Sequence, residues 1–361
     1  MSGSARQGGD DRGWLLYGAN GYTGRLIAAE AAARGERPVL AGRREDAVRE
    51  VAEPLGLAWR AFPLADERAL LAGIEGAGAV LLAAGPFSQT SRSVVGACLD
   101  VGAHYLDITG EIAVIEAAFA RDAEARARGV ALLPACGFDV VPSDCLAASL
   151  AEALPGAVRL ELAFAALGGG PSAGTAKSMV EGLARGGAIR EGGRIRRVPI
   201  AWRRKVVPFR DRARLAVSVP WGDVATAYHS TGIPDIIVWM AAPSRLTRAV
   251  PLLRLAGRAL RVGPVRRLAQ RVVGRTVEGP DAAARGTGSA QLWGRVEDAA
   301  GRSVEGWAGT PEGYRFTAIS AVECVRRLLA APREGALTPS LAFGADFLLD
   351  LPECTLEIVA P

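Results

Sequence analysis

Residue types that build metal and redox centres are scarce in this 361-residue chain. Its five cysteines are scattered and form no Cys-x-x-Cys pair, which argues against a disulfide framework and against a zinc site. The two histidines, His104 and His229, are too few for a three-ligand metal centre, and no motif places either beside a nucleophile. We therefore expect no metal, and we expect the chemistry to come from a bound organic cofactor.

Long hydrophobic runs are also missing, although 50% of the residues are hydrophobic. No run approaches the roughly 18 apolar residues of a membrane-spanning helix. Residues 1–12 are polar and rich in glycine, without the apolar core of a signal peptide. We expect a flexible tail at 1–12, a cytoplasmic location, and a chain long enough for two domains.

Lysine is rare, because only Lys177 and Lys205 stand among the 43 cationic residues. The net charge of +5 is unevenly placed, since residues 185–275 hold 20 cationic and 4 acidic side chains. Such a region could attract a CoA or phosphopantetheine thioester, an acidic carrier protein or an anionic membrane, or it could be a solvated face. No aromatic ladder or helix-turn-helix pattern accompanies it, so nucleic acid is not expected.

A glycine pattern near the N-terminus is the most informative feature that is present. Residues 14–17 are typical of an apolar strand, and glycines at 18, 21 and 24 precede a helix with an apolar stripe and a second strand at 38–41. Such a βαβ unit brings backbone N–H groups and a helix N-terminus to a pyrophosphate. The predicted dinucleotide contacts are Gly18, Asn20, Gly21, Tyr22, Thr23 and Gly24.

The end of the second strand indicates which dinucleotide binds. NAD-preferring sites usually place an acidic residue there to hold the ribose hydroxyls, whereas a 2′-phosphate requires guanidinium groups. Here Arg43 and Arg44 follow the strand directly, and Glu45 and Asp46 come later. We therefore predict NADP(H), bound through Arg43 and Arg44.

Alternation of strands and helices continues to about residue 141, which predicts a Rossmann-type, doubly wound parallel sheet over residues 13–141. A single long helix is expected over 112–128. From Pro142 onward, longer alternating segments predict a second α+β domain at 142–361, with a mixed or antiparallel sheet. The C-terminal part of that domain could pack back on the first.

The loops that follow the predicted parallel strands should line the ligand cleft, because ligands bind at the carboxyl ends of such strands. Asp66 follows the third strand, where its side chain could accept from an adenine amino group. Glycine and proline at 85 and 86 suit a path along the ribose and nicotinamide. Further cofactor contacts are expected from Gly85, Pro86, Phe87, Asp107, Gly137 and Phe138.

Several motifs together resemble one known family; they lie at 18–24, 41–44, 84–87, 105–111 and 137–144. The combination resembles the saccharopine dehydrogenase-like oxidoreductases, and within them the bacterial branch that includes the trans-acting enoyl reductases. The similarity is strong over residues 13 to about 180. It implies an NADPH-binding Rossmann domain, a substrate domain whose sheet forms the other wall of the cleft, and hydride transfer to an imine or to a conjugated C=C bond.

A hydride acceptor must be polarised, so the cleft needs an acid or a hydrogen-bond donor. None of the five tyrosines has a lysine four residues later, which argues against the short-chain dehydrogenases. The donors that remain are Tyr105, Lys177, Tyr228 and Asp139, with His229 as a weaker candidate.

The segment 245–275 combines nine arginines with apolar residues from Leu246 to Val272 at helical spacing. This predicts two amphipathic helices broken at Gly263-Pro264. They could form a lid or a docking face for a carrier-bound substrate, or they could simply pack on the sheet with solvated arginines.

The residues and the resemblance together predict an NADPH-dependent reductase of a conjugated C=C bond in a small or carrier-bound metabolite, of the kind used in secondary metabolism. Two alternatives stay open. One is a reductase of C=N bonds in amino acid or polyamine imines. The other is a non-catalytic, nucleotide-stabilised protein that binds a membrane or a partner, although membrane contact is not expected. Dimerisation through the second sheet is compatible with the sequence.

Overall fold

The computed structural model describes residues 12–168, 170–242 and 250–359. Residues 1–11 of the predicted tail therefore lie outside the described residues, as do Arg245 and Leu246 of the basic segment. Strands and helices alternate through the first part of the chain: β1 (Trp14–Tyr17), α1 (Tyr22–Ala33), β2 (Val39–Gly42), α2 (Glu45–Leu55), β3 (Trp59–Ala61), α3 (Glu67–Ile74), β4 (Ala79–Leu82), α4 (Phe87–Val101), β5 (His104–Asp107), α5 (Ile112–Phe119), α6 (Asp122–Ala127), β6 (Ala131–Leu133) and α7 (Val141–Ala153).

The later part begins with longer strands and returns to helices near its end. Its elements are β7 (Ala157–Leu167), α8 (Ala173–Arg185), β8 (Gly187–Glu191), β9 (Arg194–Val198), β10 (Arg204–Pro208), β11 (Ala213–Ser218), α9 (Asp223–Thr231), β12 (Asp235–Ala241), α10 (Val250–Leu260), α11 (Gly263–Thr276), α12 (Ala282–Thr287), β13 (Ser289–Asp298), β14 (Ser303–Pro311), α13 (Gly313–Ala330), β15 (Gly335–Ala336), α14 (Pro339–Phe343), a 3-10 helix (Ala345–Asp350) and β16 (Thr355–Val359).

The first sheet has seven parallel strands in the order β15-β6-β5-β4-β1-β2-β3. Its central strands β1 and β4 are buried along their whole length, as expected of a parallel sheet covered by helices on both faces. Strand β1 pairs with β2 on one side and with β4 on the other. The chain therefore adds strands on both sides of β1, and the sheet is doubly wound. The predicted fold class is confirmed.

The second sheet is mixed and has the order β10-β11-β12-β7-β13-β14-β16, with β8 and β9 branching from β12. Strands β12 and β7 run parallel, whereas the long pairings of β7 with β13 and of β13 with β14 are antiparallel. The predicted mixed sheet is therefore confirmed. Strands β8, β9, β10, β15 and β16 were not expected.

The two sheets share one hydrophobic core, which contains Leu16 of β1, Leu146 of α7, Leu292 of β13 and Phe316 of α13. The chain returns to the first sheet before the second is complete, because Gly335 of β15 pairs with β6, and β16 joins the second sheet afterwards. The domain boundary near residue 142 stays a prediction. In the described part of the chain, no helix is both long enough and apolar enough to span a bilayer.

The prediction of a single helix over 112–128 is wrong, because α5 ends at Phe119 and a separate helix, α6, begins at Asp122. The break lets the first residue of α6, Asp122, reach β15, where Asp122 Oδ1 accepts from the backbone N–H of Ala336 at 2.8 Å. A continuous helix would leave that N–H at the sheet edge without this acceptor. By contrast, the predicted break at Gly263-Pro264 is confirmed, since α11 begins there.

Candidate functional site

Two glycines, one in the turn after β1 and one in the first turn of α1, have no room for a side chain. Gly18 adopts φ +91°, which favours glycine, and a Cβ there would lie 2.8 Å from the backbone N of Ala84. A Cβ on Gly24 would lie 2.1 Å from the carbonyl oxygen of Gly18. The glycines therefore hold the start of α1 tightly against the carboxyl end of the first sheet.

The N-terminus of α1 is open to a ligand. Gly21 is its N-cap residue and provides no side-chain acceptor for the N–H groups of the first turn. Thr23 in that turn lines the large cavity described below. An uncapped helix N-terminus beside a glycine turn fits a dinucleotide pyrophosphate.

Arg43 and Arg44 lie just beyond β2, and both are exposed. Arg44 has one ion pair, 3.9 Å from Asp46, in which both side chains are more than half exposed. So weak a pair leaves the guanidinium free to bind a 2′-phosphate. The predicted adenine contact, Asp66, instead accepts from the N–H of Ala69 at 3.0 Å as the N-cap of α3.

We expect the double variant Arg43→Ala/Arg44→Ala to weaken NADPH binding by about 10–100-fold and to leave NADH binding within about twofold, because only NADPH carries the 2′-phosphate. Titration with each nucleotide, followed by nicotinamide fluorescence, measures both constants. Arg49→Ala removes an exposed arginine of α2 and is the matched control. An equal loss for both nucleotides would show that the arginine pair does not recognise the phosphate.

A cavity of about 870 Å³ lies between the carboxyl edge of the first sheet and the second sheet. The loops after β4, β5 and β6 form one wall, which contains Gly85, Phe87, Ile108, Gly110, Phe138 and Asp139. The facing wall comes from later elements and includes Met179, Leu183, Val217, Trp221, Met240, Leu253 and Tyr314. Both walls are mainly apolar, so a bound molecule would be shielded from water.

Two glutamates at the cavity are held in a network that joins its two walls. Glu111 Oε1 accepts from the N–H of Phe87 at 2.9 Å, and its Oε2 lies 3.4 Å from Arg185 Nη1. Arg185 Nη2 lies 3.2 Å from Glu181 Oε2, which also accepts from Ser88 Oγ at 3.2 Å. The Arg185 guanidinium therefore bridges both glutamates and connects α8 with the loops after β4 and β5.

Asp139 differs from the other carboxyl groups of the cavity. Glu116, a further lining residue, pairs with Arg190, whereas no hydrogen bond or ion pair reaches the Asp139 carboxyl from the described residues. Burial raises the pKa of Asp139 to about 7. Glycine at 110 makes room for this carboxyl, since a Cβ there would lie 2.5 Å from Asp139 Oδ2. A carboxyl with such a pKa can carry a proton at neutral pH and donate it.

The structure removes Tyr105 from the candidate acids. Tyr105 is fully buried and donates from its hydroxyl to Asp107 Oδ2 at 2.6 Å. Asp107 is fully buried too, and its Oδ1 accepts from the N–H groups of Thr109 and Ala135. Neither side chain lines the cavity. Their geometry fixes the loops after β5 and β6, so a direct side-chain contact from Asp107 to the cofactor is not expected.

The remaining predicted donors also lie outside the cavity lining. Lys177 lies on α8 against α11, where a Cβ on Gly274 would lie 3.0 Å from Lys177 Nζ. The Tyr228 ring stacks on the Arg190 guanidinium, with 4.2 Å between the guanidinium carbon and the ring centroid. His229 stacks on Phe119, with 3.7 Å between ring centroids. None of these three donors lines the cavity. Of the proton donors predicted from the sequence, Asp139 is the one that the described structure places at the cavity wall.

Tyr314 lines the cavity, although no motif in the sequence indicates that it belongs to a functional site. Its hydroxyl accepts from the N–H of Ser172 at 2.6 Å and lies 2.7 Å from Thr175 Oγ1. Its ring meets that of Tyr22 edge-on at 4.9 Å. Tyr314 therefore joins the start of α8 to the glycine turn. Because these partners are far apart in sequence, no local motif could have identified it.

Comparisons with known proteins agree with this site. Residues 14–133 match the family model described as the saccharopine dehydrogenase NADP binding domain. A trans-acting enoyl reductase of Mycobacterium leprae is 36% identical over 143 residues, which are 36% of this chain and 33% of that protein. A putative trans-acting enoyl reductase of Mycobacterium tuberculosis is 34% identical over 187 residues, 47% of this chain and 43% of that protein.

The match thus spans less than half the length of these relatives. A structure of saccharopine dehydrogenase (L-Glu forming) from Saccharomyces cerevisiae aligns with 97% of this chain and 100% of its own, with a TM-score of 0.64 and 12% identity, which shows a shared fold. The family match covers the glycine turn and the arginine pair, whose geometry fits the cofactor. Residues 14–133 are therefore similar to the saccharopine dehydrogenase NADP binding domain, as the motifs predicted, and this match supports NADP(H) as the cofactor.

Proposed function

We propose that this chain is an NADPH-dependent oxidoreductase that reduces the conjugated C=C bond of an enoyl thioester, presented as a small molecule or on a carrier. The observation that supports it most is the position of Asp139, a protonatable carboxyl without an ion pair on an apolar cavity wall beside the cofactor domain. The names of the mycobacterial relatives support the choice of an enoyl substrate.

The residues of this chain would have the following roles in binding and proton transfer. The α1 N-terminus and the arginines after β2 hold the cofactor, and the loops after β4 and β6 place the nicotinamide at the cavity. Bound NADPH supplies a hydride to the β-carbon of the enoyl group. Electrons of the C=C bond then move toward the thioester carbonyl, and a proton from the Asp139 carboxyl completes the α-carbon. Water returns the proton to the carboxylate, which leaves a saturated thioester.

The charges at the cavity favour an enoyl substrate over an imine built from amino acids. Such an imine carries carboxylates that need cationic partners. Among the described residues only Arg185 and Arg197 supply guanidinium groups to the cavity wall, and Arg185 is already paired with Glu111 and Glu181. Four carboxyl side chains stand on the same walls. A neutral, apolar acyl chain fits this lining better.

The test is an NADPH oxidation assay with enoyl thioesters, presented on CoA and on a carrier protein, alongside imines formed from 2-oxo acids and amines. We expect oxidation with an enoyl thioester and a product heavier by two hydrogens in mass spectrometry. Turnover of imines alone would replace the proposal by C=N reduction. NADPH binding without turnover of either class would favour the non-catalytic alternative.

A further inference from the structure

Helices α10 and α11 expose an apolar stripe that no described residue covers. In α11 the exposed residues Val265, Leu268 and Val272 recur at helical spacing and share one stripe. In α10 the exposed apolar residues are Leu252, which is 70% exposed, and Leu255, which is 63% exposed. We call this surface the α10–α11 face. It extends along helices of about 16 and 21 Å.

Other residues of both helices pack against α8. Leu260 of α10 and Val273 of α11 join Val180 and Ala184 of α8 in a small core. A Cβ on Gly257 would lie 2.7 Å from the carbonyl oxygen of Leu183, so α10 crosses α8 closely. The exposed apolar residues are therefore not needed to hold the helices in place.

Arginines lie along one flank of the α10–α11 face. Arg267, Arg271 and Arg275 recur every fourth residue beside the apolar stripe of α11, and all three are exposed. Residues 250–276 contain seven arginines and no acidic residue. Arg254 donates to the carbonyl oxygens of Ile200 and Ala201, but no ion pair joins any of the seven to a carboxylate in the described ranges.

The charge and the shape of the α10–α11 face indicate which kind of partner binds to it. A second copy of the chain would bring arginine against arginine, which is repulsive. Helical stripes are convex and present no pocket, whereas a bilayer interface accepts an apolar stripe lying flat with arginines at the level of the phosphates. Guanidinium groups also bind phosphates in a bidentate manner. An anionic lipid surface satisfies both the apolar and the cationic parts.

We propose that the α10–α11 face lies in the headgroup region of an anionic lipid bilayer as a peripheral contact. This inference goes beyond the proposed function and does not depend on it. Val250 and Leu253 of α10 line the cavity, so a membrane-bound chain would hold the cavity wall next to the lipid surface. Acyl substrates that partition into the bilayer could then be collected from it.

Co-sedimentation with phosphatidylcholine vesicles, with and without phosphatidylglycerol, tests the proposal. We expect the partition coefficient to be at least tenfold higher for the anionic vesicles and to fall as salt is raised. The double variants Leu255→Ser/Leu268→Ser and Arg267→Gln/Arg271→Gln should each lower it about tenfold or more. Matched controls on other surfaces, Val206→Ser/Leu349→Ser and Arg204→Gln/Arg212→Gln, should stay within about twofold.

Absence of binding to anionic vesicles would overturn the inference, and so would equal losses in the controls, which would indicate a general charge effect. Binding to an acidic carrier protein without any affinity for vesicles would assign the face to a protein partner instead. Turnover of a water-soluble thioester should be unchanged in the face variants. Vesicle binding without turnover of any substrate would count against the proposed function and leave the membrane contact intact.

Discussion

Replacing Asp139 with asparagine is expected to lower kcat about 10²–10⁴-fold while the affinity for NADPH stays within about twofold. Asparagine keeps the size and polarity of the side chain but cannot give up a proton. The other carboxyl groups of the cavity are already engaged, because Glu111 and Glu181 form ion pairs with Arg185, and Glu116 forms one with Arg190. Steady-state and single-turnover kinetics with an enoyl thioester measure the effect, and nucleotide titration provides the comparison.

The pH dependence of kcat should identify the same group. Burial raises the pKa of Asp139 to about 7, and the reaction needs its protonated form. The rate should therefore be constant at low pH and fall tenfold per unit once the pH rises above about 7. The residual rate of Asp139→Asn should lack this decline. A wild-type decline that persists in the variant would assign the proton to another group.

Stability offers a second measurement that does not need a substrate. Because the pKa of Asp139 is raised in the folded state, folding favours its protonated form, and this contribution is complete below the unfolded value of about 4 and lost as the pH rises through about 7. Asparagine stays neutral throughout. Relative to wild type, Asp139→Asn should gain about 4 kcal/mol in free energy of unfolding between pH 4 and pH 8, because the shift is about three pKa units. Asp144, also buried, titrates in both proteins and cancels in this difference. The Asp139 charge contributes to the raised pKa of Asp223, so removing that charge lowers the pKa of Asp223 and adds to the gain.

The parts of the molecule that follow local rules could be predicted from the sequence. Residues 14–17 form strand β1 as predicted, because a short apolar run that ends at a glycine is a local signal. The helix break at Gly263-Pro264 follows from the fixed φ of proline and its lack of an N–H. Asp139 could be placed at the cavity because parallel strands end at one edge.

Features that depend on distant contacts could not be predicted. Strand β9 consists largely of exposed arginines, so it lacks the apolar alternation that signals a strand, and it exists because it pairs with β8. The sequence predicts Tyr105 as a donor because it does not show which face of β5 meets the cavity, whereas the Tyr105 hydroxyl is buried against Asp107. The ion pair between Arg185 and Glu111 joins residues that are far apart in the sequence and that no local spacing connects.

Replacing Gly24 with alanine is expected to lower NADPH affinity at least 100-fold and to cost about 2–4 kcal/mol in free energy of unfolding. The added Cβ would lie 2.1 Å from the Gly18 carbonyl oxygen and 2.9 Å from Ala19 Cα, both backbone atoms that cannot rotate away. The glycine turn would have to open, and the first N–H groups of α1 would move away from the pyrophosphate. Nucleotide titration and denaturant unfolding measure the two effects.

Gly96→Ala is the matched control, because it makes the same substitution inside α4, another helix that connects strands of the first sheet. A Cβ at Gly96 in α4 would have its nearest contact at 3.8 Å, the terminal nitrogen of the flexible Arg121 side chain. Alanine favours helix over glycine by about 1 kcal/mol, so this variant should be slightly more stable than wild type and bind NADPH normally. Opposite signs for the two substitutions would show that contact with the Gly18 carbonyl, and not helix propensity, requires glycine at 24. If Gly24→Ala also stabilised the chain and kept its affinity for NADPH, the tight turn would have no part in holding the cofactor.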